Sequence, residues 1–103
     1  YTTKGGKKLA VVETTWFGAP GALYGRGAEI VIALNPEHEV KTKKIRKFTI
    51  AGHGIVVASA AEKLNEREPG WGGPVSGTIL GSNQKESSEL TLEEVKNLII
   101  EMF

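Results

Sequence analysis

The groups in this chain able to do chemistry are thirteen lysines and arginines, twelve glutamates and two histidines. Their densest cluster is Lys41, Lys43, Lys44, Arg46 and Lys47. Cations at that spacing suit the phosphates of DNA or RNA, whose binding is driven largely by the release of condensed counterions. The balance is uneven along the chain: residues 1–47 hold nine basic groups against four glutamates, residues 48–103 four against eight. Such a distribution lets one face meet a polyanion while the formal net charge stays at +1. Lys7, Lys8 and Arg26 would extend the patch if the fold brings them to the same side. Trp16, Phe17 and Tyr24, in the glycine-rich stretch around Arg26, are surfaces on which unpaired bases could stack. The same charges have a plainer use, as lysines guarding an edge strand or as one half of a chain neutralising the other.

His38 and His53 are the only imidazoles. Two histidines and a carboxylate such as Glu13 or Glu37 make a real ligand set. No helical spacing joins these two, however, and no metal site is expected. The absence of cysteine excludes disulfides, thiolate chemistry and Cys-ligated zinc. His53 lies in a glycine turn, Gly52-His53-Gly54, that precedes a small-residue run. A glycine turn entering a helix lets a backbone or a phosphate approach closely. The dinucleotide fingerprint fails here, with Val57 where a third glycine belongs, and no Gly-Lys-Ser/Thr triplet occurs. No cofactor is expected. The imidazole of His53 could serve as a general base, against the alternative of a turn residue bonded to backbone. Trp71, in Gly70-Trp71-Gly72-Gly73-Pro74, either walls a ligand site together with Trp16 or is buried beneath the glycine crossing.

The elements that must position these groups follow from apolar patterning. Lys8 to Trp16 and Ala28 to Leu34 read as strands, the second apolar on both faces and therefore central. Phe17 to Gly27 reads as a loop or irregular edge. Asn35-Pro36-Glu37-His38 has the chemistry of a type I turn, which would fold Glu39 to Ala51 back as an antiparallel arm. Ser59 to Glu62 and Thr91 to Glu94 match capping boxes. The first opens a helix ending before Pro69, with a start as early as Ile55 if the glycine turn leads straight into it; the second opens a helix with Leu92, Val95, Ile99 and Met102 on one face. Val75 to Leu80 reads as a short strand and Gly81 to Glu89 as a polar loop.

Phe48-Thr49-Ile50-Ala51-Gly52-His53-Gly54-Ile55, followed by Ala58, Ala61, Glu62 and Leu64, resembles the strand–glycine–helix segment of Alba-type proteins. Thr78-Ile79-Leu80-Gly81-Ser82 resembles the next strand of that family. The similarity covers about residues 45–83 and implies a small α/β protein that binds DNA or RNA, usually as a dimer. The family's opening helix with its lysine pair and its closing hairpin arm have no counterpart here. Its DNA-contacting lysines are therefore not carried onto Lys7 and Lys8.

One domain over residues 1–103 is expected, with 40% hydrophobic residues and no apolar run near the ~20 residues of a membrane helix. The expected fold is α+β: a mainly antiparallel sheet of four or five strands, two helices on one face, and a protruding basic hairpin. The start at Tyr1 reads as a processed or trimmed end, and a cytoplasmic setting follows by default. One Met, one Gln and Lys/Glu-heavy charges fit a thermophile's composition. The expected function is nucleic-acid binding without catalysis. The alternatives are a homo-oligomeric interaction module, built through the C-terminal helix and an edge strand, and a small-molecule or enzymatic site around His53.

Overall fold

The β-branched run Ile30-Val31-Ile32 is fully buried at the centre of a four-stranded sheet in the computed structural model, which describes residues 1–15, 19–41 and 43–103. Seven elements follow in chain order: β1 (Leu9–Glu13), α1 (Ala19–Tyr24), β2 (Ile30–Val40), β3 (Lys43–Gly52), α2 (Ala60–Arg67), β4 (Ile79–Gly81) and α3 (Leu92–Met102). The strands lie in the order β1-β2-β3-β4. β1 runs parallel to β2, whereas β2–β3 and β3–β4 are antiparallel. The fold is thus α+β with a mostly antiparallel, four-stranded sheet.

Because strand side chains alternate, the register gathers Leu9, Ile30, Ile32, Leu34, Phe48, Ile50 and Leu80 on one face. Ala60 and Leu64 of α2 and Val95 and Ile99 of α3 complete that core. The α3 helix matches its sequence pattern closely. Thr91 Oγ1 accepts from Glu94 N and Glu94 Oε1 accepts from Thr91 N, both at 3.1 Å, and Leu92 and Met102 pack beside the buried pair. The other sheet face buries Val31 and Ala51 and carries α1 against β2.

Several expectations are corrected. A third helix, α1, occupies part of the stretch read as a loop; residues 16–18 lie outside the described residues. Pro20 is tolerated there because the first helical turn needs no backbone donor. The helix closes on Gly27, whose φ of 99° lets Ala28 N reach Leu23 O and Gly27 N reach Tyr24 O. This helix forms part of the crossover connection that the parallel β1–β2 pair requires. Asn35 to His38 is not a turn. β2 continues to Val40 through a bulge between Asn35 and His38, where Pro36 removes no ladder bond and Asn35 Oδ1 accepts from Glu37 N at 3.0 Å. Ser59 is itself helical and its side chain makes no cap bond. Val75 to Thr78 is not strand, because a turn closes with Gly77 N on Pro74 O and Gly77 adopts a φ of 72°.

The β3 edge beyond β4 is covered by the 82–90 segment. Ser82 Oγ accepts from Phe48 N at 2.8 Å, Ser87 Oγ from Arg46 N at 3.0 Å, and Arg46 O from Ser88 N at 2.9 Å. Serine hydroxyls thereby stand in for the backbone acceptors a fifth strand would have supplied. Glu68, just past α2, clamps this segment. Its carboxylate accepts from Trp71 Nε1 at 3.1 Å, from Ser88 Oγ, and from Glu89 N at 3.0 Å. Trp71 is buried against Phe48, ring centroids 5.9 Å apart, so the tryptophan belongs to the core.

Replacing Glu68 by Ala leaves two donors from buried residues without their acceptor and costs about 2–3 kcal/mol, whereas Glu66→Ala changes stability by less than about 0.5 kcal/mol, as read by urea unfolding. Lys41 is the one described residue other than glycine at positive φ, 54°. Lys41→Asn relieves part of that cost and raises stability by about 0.5–1 kcal/mol, measurable as an increase of a few degrees in Tm.

Candidate functional site

Lys41, Lys43 and Lys44 surround the turn that joins β2 to β3, closed by the Val40–Lys43 pair, and all three are exposed; Thr42 lies outside the described residues. Lys85 comes to the same place: Val40, Lys41, Lys43, Lys85 and Glu86 border one shallow depression. Acids are interleaved. Lys43 Nζ lies 3.9 Å from Glu86 Oε2, and Glu39 stands opposite Lys44 in the ladder. Exposed pairs of this kind contribute little and give way readily to another anion.

Arg46 and Lys47 have different surroundings. Arg46 alternates onto the core face, where its guanidinium lies 5.8 Å from the Phe48 ring centroid. Its Nη1 donates to Ser88 O at 2.6 Å and Leu90 O at 3.1 Å. Lys47 alternates to the opposite face, half-buried, and its ammonium donates to Ser82 O at 2.5 Å. Its Nζ passes over Gly81, 2.9 Å from where a Cβ would stand. Burial holds the Lys47 pKa below the ordinary lysine value. Both cations tie the 82–90 segment to β3.

Lys7, Lys8 and Arg26 do not join the turn lysines. Lys8 O accepts from Ile30 N, at the start of β2, and Lys8 and Arg26 border a shallow depression there. The eleven residues of β2 place that end about 30 Å from Val40. The molecule therefore carries basic groups at both ends of its long strand. Tyr24 stacks on His53, centroids 4.6 Å apart, while Trp16 and Phe17 lie outside the described residues.

The two histidines are also kept apart. His53 follows β3 and its backbone N–H donates to Glu29 O at 2.8 Å, whereas His38 pairs with Ile45 near the other end of the same ladder. A methyl group on Gly52 would collide with the Ile55 carbonyl, so the glycine turn serves a close backbone approach. Trp71 lies in the core with Phe48 and does not join His53 on the α1 side. Among the described residues no three carboxylate or imidazole groups gather as a metal site would need, and no helix is long and apolar enough to cross a membrane.

One constellation escaped the sequence reading. Asn35 and His38 would point to opposite faces of a regular strand, but the bulge turns both to the side of Lys47, since their partners Lys47 and Ile45 are two apart. Thr14, Thr15 and Thr49 join them around a cleft of about 180 Å³ on the sheet face that α1 only partly covers. Apart from the Pro36 that marks a bulge site, no local signal in the sequence announces this grouping. Comparison with protein-family models, with curated proteins and with solved structures finds nothing that matches this chain.

Proposed function

We propose that the β2–β3 end is a basic hairpin arm that contacts the phosphates of DNA or RNA without catalysing a reaction. The observation that carries this reading is the exposure of Lys41, Lys43 and Lys44 around one turn, with Lys85 beside them. These ammonium groups are already in water, so exchanging a weak carboxylate contact for a phosphate costs little desolvation. Arg46 and Lys47 support the arm from within and leave the contact to the lysines nearer the turn. The likeness to Alba-type proteins over residues 45–83 points the same way. Glu37, Glu39 and Glu86 temper the field, so the interaction is of modest strength and without base readout.

Three phosphate contacts give a slope of log K against log salt of about −2 on a single strand and about −3 on a duplex. Fluorescence anisotropy with mixed-sequence DNA and RNA oligonucleotides at several salt concentrations measures it. The combined variant Lys41→Asn, Lys43→Gln and Lys44→Gln is expected to flatten the slope to near zero. The variant Lys7→Gln, Lys8→Gln and Arg26→Gln, altered at the far end, keeps it. An unchanged slope in the first variant, or no binding at low salt, overturns the proposal.

A further inference from the structure

We propose that the outer edge of β1 pairs antiparallel with β1 of a second copy of this chain, joining two sheets edge to edge around a two-fold axis at Val12. Backbone groups carry the argument. Lys8 O accepts from Ile30 N and Thr14 N donates to Leu34 O, so the even-numbered residues of this stretch face β2. Alternation turns Leu9, Val11 and Glu13 outward. Leu9 is already paired there: its N–H donates to Tyr1 O and its carbonyl accepts from Tyr1 N, both at 2.8 Å. The edge thus already holds an extended backbone antiparallel to β1, as the Thr2–Lys8 bridge also shows. Among the described residues, nothing pairs with the outward N–H and C=O of Val11 and Glu13. The other side of the sheet is covered: the 82–90 segment lies along β3, and Gly72 exchanges both backbone bonds with Gly81 of β4. Strand edges are commonly guarded by lysine, proline or a bulge. β1, Leu-Ala-Val-Val-Glu, has none of these and a single charge at its end.

Tyr1 closes Leu9 to a newcomer, and this restricts the register. Setting Val11 against Val11 would bring Glu13 against Leu9 of the second copy, where Tyr1 already lies. Setting Glu13 against Glu13 places like charges directly opposite and carries Val11 past the end of the other strand. Between these lies the register that opposes Val11 and Glu13 in both directions and Val12 with itself. Each Val11–Glu13 pair then exchanges both its backbone bonds, and every outward group that Tyr1 leaves free is satisfied. β1 ends at Glu13 and the chain bends at Thr15, which keeps the place of Tyr1 clear. A segment that complements itself in one register suits a second copy, as an isologous interface requires. Five residues of strand are too few to bury the ~800 Å² per partner of a standard interface, so the association is weak.

The chain has no cysteine, so Val12→Cys introduces a single thiol at the two-fold axis. Residues facing each other in a non-hydrogen-bonded pair lie about 4.5 Å apart between Cα atoms, within reach of a disulfide. Mild oxidation is expected to convert most of this variant to a covalent dimer on non-reducing gels. Glu13→Cys is as accessible, but its thiol stands two residues from its own counterpart, beyond the ~7 Å limit, and should not cross-link. Sedimentation equilibrium of the parent should show a mass that rises with concentration, reaching half dimer by about 0.1–1 mM. Glu13→Pro removes an outward N–H that the β2 ladder does not use, and should stay folded by circular dichroism yet monomeric. Neither position belongs to the basic turn, so the outcome is independent of phosphate binding. A parent that is monomeric at about 1 mM, a dimer that Glu13→Pro leaves intact, or equal cross-linking through the two thiols would each overturn the inference.

Discussion

The antiparallel ladder between β2 and β3 is the constraint on which the rest of this molecule hangs. It aligns Ile30 with Gly52 at one end and Val40 with Lys43 at the other, and its two strands supply Ile30, Ile32, Leu34, Phe48 and Ile50 to the core. β1 adds to one side of the pair and β4 to the other. Because side chains alternate with a period of two, any slip of one residue would send Phe48 and Ile50 to the α1 side and Lys47 and Thr49 into the core. Burying an unpaired ammonium there would cost far more than a strand pair returns. The hydrophobic pattern and the charges therefore enforce the same register.

That register also divides the cations into two populations. Lys43 and Lys44 lie beyond the core and remain in water. Arg46 and Lys47, one turn of the pleat further in, are partly withdrawn from solvent and each finds backbone carbonyl acceptors in the 82–90 segment. Side chains of one chemical type thus meet two environments. Near the turn they stay solvated; further along they fasten a loop to a strand edge that would otherwise stand open.

The covering of that edge depends on a second, smaller constraint. β4 is only three residues long, so most of β3's outer edge must be satisfied by something other than a strand. Ser82, Ser87 and Ser88 do this with hydroxyl and backbone groups, and the Glu68 carboxylate holds the segment against α2 and Trp71. Trp71 in turn lies over Phe48. The polar clamp and the aromatic pair thereby join the edge cover to the same strand that organises the core.

The sequence by itself determined the α+β class, the central place of Ile30 to Leu34, the capped amphipathic helix from Leu92 and the end of α2 before Pro69. Each is set by local chemistry: periodicity, a Thr–Glu capping box, a proline. The tertiary structure alone decided the rest. Asn35-Pro36 carries the letters of a turn, yet pairing with β3 absorbs it as a bulge, because an extra residue in a long ladder costs less than abandoning the pairs beyond it. Ala19 to Tyr24 holds Pro20 and Gly21, the letters of a loop, yet it forms a helix within the crossover between two parallel strands. The fates of Arg46 and Lys47, the distance from Lys8 to Lys43, and the meeting of His38 with Lys47 and the threonines are relations between segments remote in sequence. No local pattern encodes them, since they exist only once the strands have chosen their partners.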